Sequence, residues 1–122
     1  MNFDLEDSWI LLVDDDTLVR SVGKRLFEAS GRRCVTAADH AQAIERLESN
    51  PHIGVAILDF RMPDGEAPDL VRKIRLLRPD LLLIGSSGSH DTRTAFAECG
   101  VSRFLPKPWV AKQVPALLAA YR

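Results

Sequence analysis

Sulfur is scarce in this chain: Cys34, Cys99 and two methionines are all it has. The cysteines form no Cys-x-x-Cys pair, which argues against a zinc ribbon or dithiol centre and fits ordinary buried thiols in a reducing compartment. An excess of one charge is missing too. Lys and Arg number 16 against 17 Asp and Glu, a net charge of −1, so there is no electrostatic footprint for non-specific nucleic-acid binding. Long apolar runs are absent, because Arg, Asp or Glu interrupts each one well short of the roughly 18 residues of a membrane span. The opening Met1-Asn2-Phe3-Asp4-Leu5-Glu6-Asp7 is acidic where a secretory signal is basic and then apolar. A cytoplasmic protein with no membrane partner and no direct nucleic-acid partner is expected. What is present is 122 residues, 46% of them apolar, enough for one domain over 1–122 with its own core over about 8–121.

Trp9-Ile10-Leu11-Leu12-Val13 is a continuous apolar run ended by three aspartates, the pattern of a strand buried on both faces. From Thr17 to about Ser30 the apolar residues Val19, Val22, Leu26 and Ala29 recur at helical spacing, and Gly31 ends the pattern. Cys34 to Ala37 reads as a second strand, and Ala41, Ile44 and Leu47 mark a second helix that stops before Asn50-Pro51. Ile53 to Leu58 repeats the apolar-run design and ends in Asp59. Pro68 suits the first turn of a third helix whose buried stripe is Leu70, Val71, Ile74 and Leu77. Leu81 to Ile84 is a fourth strand running into Gly85-Ser86-Ser87-Gly88-Ser89, followed by a short helix over about Asp91 to Cys99. Arg103-Phe104-Leu105 is a fifth strand, and a last helix starting near Lys112 carries Val114, Leu117, Leu118 and Tyr121. Strands alternating with helices define an α/β fold, a doubly wound five-stranded parallel sheet with helices on both faces.

In such sheets functional residues stand at the carboxyl ends of the strands. Here those ends deliver Asp14, Asp15 and Asp16 after the first strand, Asp59 after the third, Ser86 and Ser87 after the fourth and Lys107 after the fifth. Two carboxylates about 4 Å apart repel by roughly 4 kcal/mol at an effective dielectric of 20, so the cluster is not there for stability. A cation must neutralise it, and an all-oxygen set without Cys or His favours Mg²⁺. Lys107 adds a fixed positive charge. The arrangement suits a phosphoryl group, with Asp59 as the carboxylate nucleophile because it leaves its strand alone, whereas Asp14 to Asp16 form a metal-holding cluster.

Four segments, Ile10-Leu11-Leu12-Val13-Asp14-Asp15-Asp16, Ile57-Leu58-Asp59-Phe60-Arg61-Met62-Pro63, Ser87-Gly88 and Phe104-Leu105-Pro106-Lys107-Pro108-Trp109, occur in the order and at the spacing of a known pattern. Across nearly its whole length the chain resembles the receiver domain of two-component response regulators. The resemblance implies the flavodoxin-like strand order 2-1-3-4-5. It further implies that Asp59 accepts a phosphoryl group from a sensor histidine kinase or phosphotransfer protein. Mg²⁺ would be held by Asp14, Asp15, Asp59 and the Arg61 backbone carbonyl. Lys107 would pair with Asp59 and then with a phosphoryl oxygen. Ser87 would bond another such oxygen, and Phe104 would turn inward. The surface of the fourth helix, fifth strand and fifth helix would then change for a downstream effector, and the same face could form a homodimer. Lys107-Pro108 is expected to be cis. Such a domain is no enzyme beyond its own phosphorylation and dephosphorylation, and Arg61 and Ser89, flanking the phosphoryl position, would tune phosphate lifetime.

The sequence departs from the pattern in two places. The usual Asp-Gly after Met-Pro falls on Glu66-Ala67, with Asp64-Gly65 as a displaced look-alike, and the stretch from Ser87 to Lys107 is about two residues short, implying a shortened fourth helix or preceding loop. Plainer roles compete at several positions: Asp16 as a helix cap, Ser87 as a turn hydroxyl bonding its own backbone, Phe104 as core. His40, His52 and His90 show no partner spacing and read as surface residues, and Trp9 and Trp109 as packing or partner contacts. Among other functions, an aspartate-nucleophile phosphatase of the haloacid-dehalogenase type would need Thr or Val where Leu18 stands. A flavodoxin-like electron carrier would need hydroxyls where three aspartates stand. The alternative that remains is a pseudo-receiver, a protein-interaction module that no longer switches.

Overall fold

The computed structural model describes residues 8–89 and 91–109. In chain order its elements are β1 (Trp9–Val13), α1 (Thr17–Ala29), β2 (Cys34–Ala37), α2 (His40–Ser49), β3 (Ile53–Asp59), β4 (Arg61–Met62), β5 (Gly65–Glu66), α3 (Ala67–Leu77), β6 (Leu82–Ser87), α4 (Asp91–Glu98) and β7 (Arg103–Pro106). The main sheet has the order β2-β1-β3-β6-β7 and every pairing in it is parallel. With the two-residue β4–β5 ribbon set aside, this is the expected 2-1-3-4-5 order. The ribbon was not anticipated. The last helix expected from Lys112 lies outside the described residues, as does His90.

Alternation along the strands divides the core in two. Leu11, Val13, Ala56 and Leu58 face α2, α3 and α4, packing with Ala43, Leu47, Leu70, Ile74 and Phe96. Ile10, Leu12, Val55 and Ile57 face the other way, onto Phe27 of α1, with Trp109 against the same cluster. Burial on both faces explains why these strands are apolar throughout. Phe27 and Phe96 are fully buried, and truncating either to Ala would cost about 3–5 kcal/mol.

Three helix faces differ from the sequence expectation. On α1 the buried residues are Gly23 and Phe27, while Val22 and Ala29 are exposed. A Cβ on Gly23 would stand 2.4 Å from the Trp109 ring and 2.5 Å from Leu12. The contact is made by a residue without a side chain, which a reading of apolar side chains passes over. On α2, Ala41 is exposed and Ala43 buried. On α3, Leu77 is exposed, and Ala67, Leu70, Val71 and Ile74 form the buried face. Leu77 is the last residue of the helix.

The strand-to-helix junctions are set by local chemistry. Asp16 caps α1, its carboxylate accepting from the N–H of Leu18 (2.8 Å) and Val19 (3.2 Å). Pro68 stands in the first turn of α3, as expected. Gly85 sits where a Cβ would be 2.5 Å from the Phe96 ring, so its smallness lets α4 lie on β6. Cys34 is buried and Cys99 only half-buried; burial pushes the Cys34 thiol up to about 12, which makes it unreactive.

Candidate functional site

The parallel ladders carry the strand ends to one edge. Asp59 closes β3 opposite Ser86 in the β3–β6 register. Ser87 closes β6 opposite Pro106, and the Lys107 N–H donates to the Ser87 carbonyl at 3.0 Å, so the position of Lys107 is fixed by the sheet. Asp14 follows β1 directly, with its N–H on the Ala37 carbonyl.

Asp14, Asp15 and Asp59 come together there, each offering a carboxylate oxygen within 4.8 Å of the others. Asp14 is buried, with 2% of its surface exposed. Its carboxylate accepts from the Asp16 N–H at 2.9 Å and from the Lys107 ammonium. The same ammonium reaches Asp59 at 3.3 Å. Burial holds the Asp59 carboxyl above the usual carboxylate range; Lys107 pulls it back down and Asp14 adds to the rise. One ammonium among three carboxylates leaves a net negative notch, and its all-oxygen donors at this spacing fit a hard divalent cation. Asp14, Asp15 and Asp59 could hold Mg²⁺.

The two candidate serines are in different situations. Ser86 is buried and its hydroxyl accepts from the Trp109 indole N–H at 2.9 Å. Ser87 is half-buried, and its hydroxyl oxygen accepts from the Ser89 N–H at 3.1 Å, the turn role that competes with a phosphoryl contact at this position. That bond uses a lone pair and leaves the hydroxyl proton free to donate. Phe104, also half-buried, is tilted against Phe96 with centroids 6.1 Å apart, and Arg93 lies over its ring at 5.7 Å. Lys107-Pro108 is cis.

Beside the notch lies an apolar hollow of about 440 Å³ lined by Leu18, Val19, Val22, Gly88, Lys107, Pro108 and Trp109. Leu18 at its rim is 70% exposed.

Several participants were not foreseen. Arg20 donates to the Asp14 carbonyl at 2.8 Å and to the Thr17 hydroxyl at 3.3 Å, tying α1 to the end of β1. Asp64, set aside as a displaced look-alike, accepts from the N–H groups of His40 (2.9 Å) and Ala41 (3.1 Å) at the start of α2. His40 itself is 2% exposed, which corrects its reading as a surface residue. The β4–β5 ribbon lies against it, a contact distant in sequence that no local pattern shows. His52 is exposed, as expected, and stacks on Trp9. At the first departure, Ala67 is fully buried as the first residue of α3 and Glu66 pairs with Arg61 across the ribbon at 3.3 Å; at the second, α4 is 8 residues long.

Comparison with known proteins agrees with this fold. The profile of the response regulator receiver domain matches residues 10–119. The sensor protein TorS of Escherichia coli is 30% identical over 92% of this chain, which spans 12% of that protein. The transcriptional regulatory protein CpxR of Escherichia coli is 31% identical over 91% of this chain, which spans 47% of it. The chain thus covers less than half the length of either relative. Among solved structures, a CheY-like receiver domain from Methanospirillum hungatei superimposes with a TM-score of 0.81 at 25% identity, over 93% of this chain and 91% of that one. The chain belongs to the response regulator receiver domain family, a family of two-component signalling domains. Among the described residues no helix is long and apolar enough to cross a membrane.

Proposed function

We propose that this receiver domain takes a phosphoryl group onto Asp59 from a phosphohistidine of a sensor kinase or phosphotransfer protein, in a Mg²⁺-dependent reaction in the cytoplasm. The observation that carries the reading is the Lys107 ammonium shared between Asp14 and Asp59 at the edge where the three carboxylates converge.

In the transfer, an Asp59 carboxylate oxygen attacks phosphorus. The oxygen–phosphorus bond forms as the phosphorus–nitrogen bond breaks, and the imidazole leaves with the electron pair and takes up a proton from water. Mg²⁺ bound by Asp14, Asp15, Asp59 and the Arg61 carbonyl would offset negative charge on the transferring oxygens. Lys107 already stands at hydrogen-bond distance from the nucleophile and would donate to a phosphoryl oxygen once Asp59 carries the phosphoryl group. Ser87, whose proton is uncommitted, would donate to another; Ser86 is held by Trp109. Phe104 on β7 would follow Ser87 inward and alter the face it shares with α4, the surface offered to an effector or a second copy. The fifth helix of that face lies outside the described residues. The hollow rimmed by Leu18, Val22 and Pro108 gives a phosphodonor protein an apolar foothold beside Lys107. The domain catalyses only its own phosphorylation and dephosphorylation.

Incubation with acetyl phosphate and Mg²⁺, read by intact mass, tests this. The wild-type chain should gain one phosphate and Asp59→Asn should gain none. A wild-type chain that never gains mass would make the pseudo-receiver reading the better one.

A further inference from the structure

The ribbon that follows Asp59 is too small to stand alone. It consists of two residue pairs, Arg61 with Glu66 and Met62 with Gly65, joined through Pro63-Asp64, and isolated two-stranded ribbons are marginal even when longer. Its root is tied by the Ala67 N–H on the Phe60 carbonyl at 2.7 Å. Its tip is tied to the start of α2 through Asp64.

A helix begins with backbone N–H groups that have no partner within it. In α2 the cap residue Asp39 serves only part of them: its carboxylate accepts from Gln42 (2.8 Å), and its carbonyl from Ala43 (3.1 Å). The N–H groups of His40 and Ala41 are satisfied by Asp64, one on each carboxylate oxygen. The helix start is completed by a residue from the far loop. A carboxylate is favoured there by the helix dipole as well. The approach is close: a Cβ on Gly65 would stand 2.9 Å from the His40 ring, and Gly65 has φ +154°, which other residues rarely adopt. The buried His40 ring makes no hydrogen bond through either nitrogen, so it serves here as a packing surface for the ribbon.

Resting on the reading above, we propose that Asp64 is a positioning residue for the acidic notch. By clamping the ribbon tip to the start of α2 it fixes the Arg61 backbone beside Asp59, and with it the carbonyl available to the metal. The displaced Asp-Gly pair thus acquires a role of its own in this chain.

The test compares the wild type with Asp64→Ala, Asp64→Asn and, as a control, Asp15→Asn. The readouts are Mg²⁺ affinity by isothermal titration calorimetry and exchange of the His40 and Ala41 amides by NMR, with and without Mg²⁺. Asp64→Ala should weaken Mg²⁺ binding about tenfold, as loss of a group supporting a metal ligand commonly does. Asp64→Asn, which keeps one of the two acceptor oxygens, should fall between. By linkage, Mg²⁺ should slow exchange of both amides in the wild type, a response that a merely structural clamp would not give. Unchanged Mg²⁺ affinity in Asp64→Ala, with Asp15→Asn impaired, would overturn this inference alone. Unchanged affinity in Asp15→Asn as well would overturn the metal reading along with it. If Asp64→Ala does not fold, the wild-type exchange decides, and amides indifferent to Mg²⁺ refute the clamp.

Discussion

Asp14 and Asp15 stand next to Asp16, and Asp59 stands just before the ribbon that carries Asp64, yet the two sets of aspartates are treated in opposite ways. Asp16, Asp39 and Asp64 sit at helix starts and each accepts backbone N–H groups. Asp14, Asp15 and Asp59 face one another around a single ammonium. The Asp64 carboxyl, despite some cost of burial, is held below the usual range by the His40 and Ala41 N–H groups. That of Asp59 is held above it, by burial first and by Asp14 next. The contrast teaches that the helix-capping and the clustered carboxylates of this domain are neighbours in sequence, separated by whether a helix start or another acid lies opposite.

The sharpest way to break the contrast is Asp59→Asn. Phosphate incorporation should vanish, while the metal-free protein should melt about 2–4 °C higher because repulsion with Asp14 is relieved. A fall in melting temperature would mean that Asp59 acts as a structural partner of Lys107, like the capping set. Next in size, Lys107→Ala leaves Asp14 buried without its ammonium. Urea unfolding without metal should show a loss of about 2–3 kcal/mol, largely recovered when Mg²⁺ is added. The modified fraction should be reduced but not zero. Asp16→Ala should cost about 1 kcal/mol by the same measurement and leave Mg²⁺ affinity unchanged; a changed affinity would merge the two sets.

The smallest effect is a pH dependence. Burial lowers the His40 pKa below its ordinary 6.5, with Lys73 acting in the same direction and Asp64, Asp69 and Asp39 opposing. The unfolded chain therefore binds the proton more readily, and this stability, fully present above pH 6.5, is lost as pH falls through the lowered folded value. Urea midpoints measured on either side of that value should show the decline, and His40→Gln should flatten it.

Much of the frame was legible because it is written in local patterns. Apolar runs closed by aspartate mark β1 and β3, and the strand-end rule alone gathers Asp14, Asp15, Asp59, Ser87 and Lys107 at one edge. What escaped were contacts made by the absence of a side chain or by distant backbone. Gly23 carries the α1 interface because Trp109 and Leu12 fill the space where its side chain would be. His40 lies on the buried stripe of α2 with Ala43 and Leu47, but as a polar residue it is passed over by a reading of apolar side chains, and Gly65 of the ribbon closes against its ring. Asp64 bonds backbone N–H groups 24 and 23 positions away, which no spacing rule addresses. That the Ser86 hydroxyl is held by the Trp109 indole is likewise a contact between distant residues.

The two tryptophans divide the molecule usefully. Trp109 sits against Gly23 with its indole N–H on Ser86, two residues from Lys107; Trp9 starts β1 at the opposite edge of the sheet, between Arg33 and His52. The chain therefore carries an emitter beside its acidic notch and a reference emitter remote from it. With Trp9 replaced by Phe, the optical signal of unlabelled protein would report the notch alone, in real time.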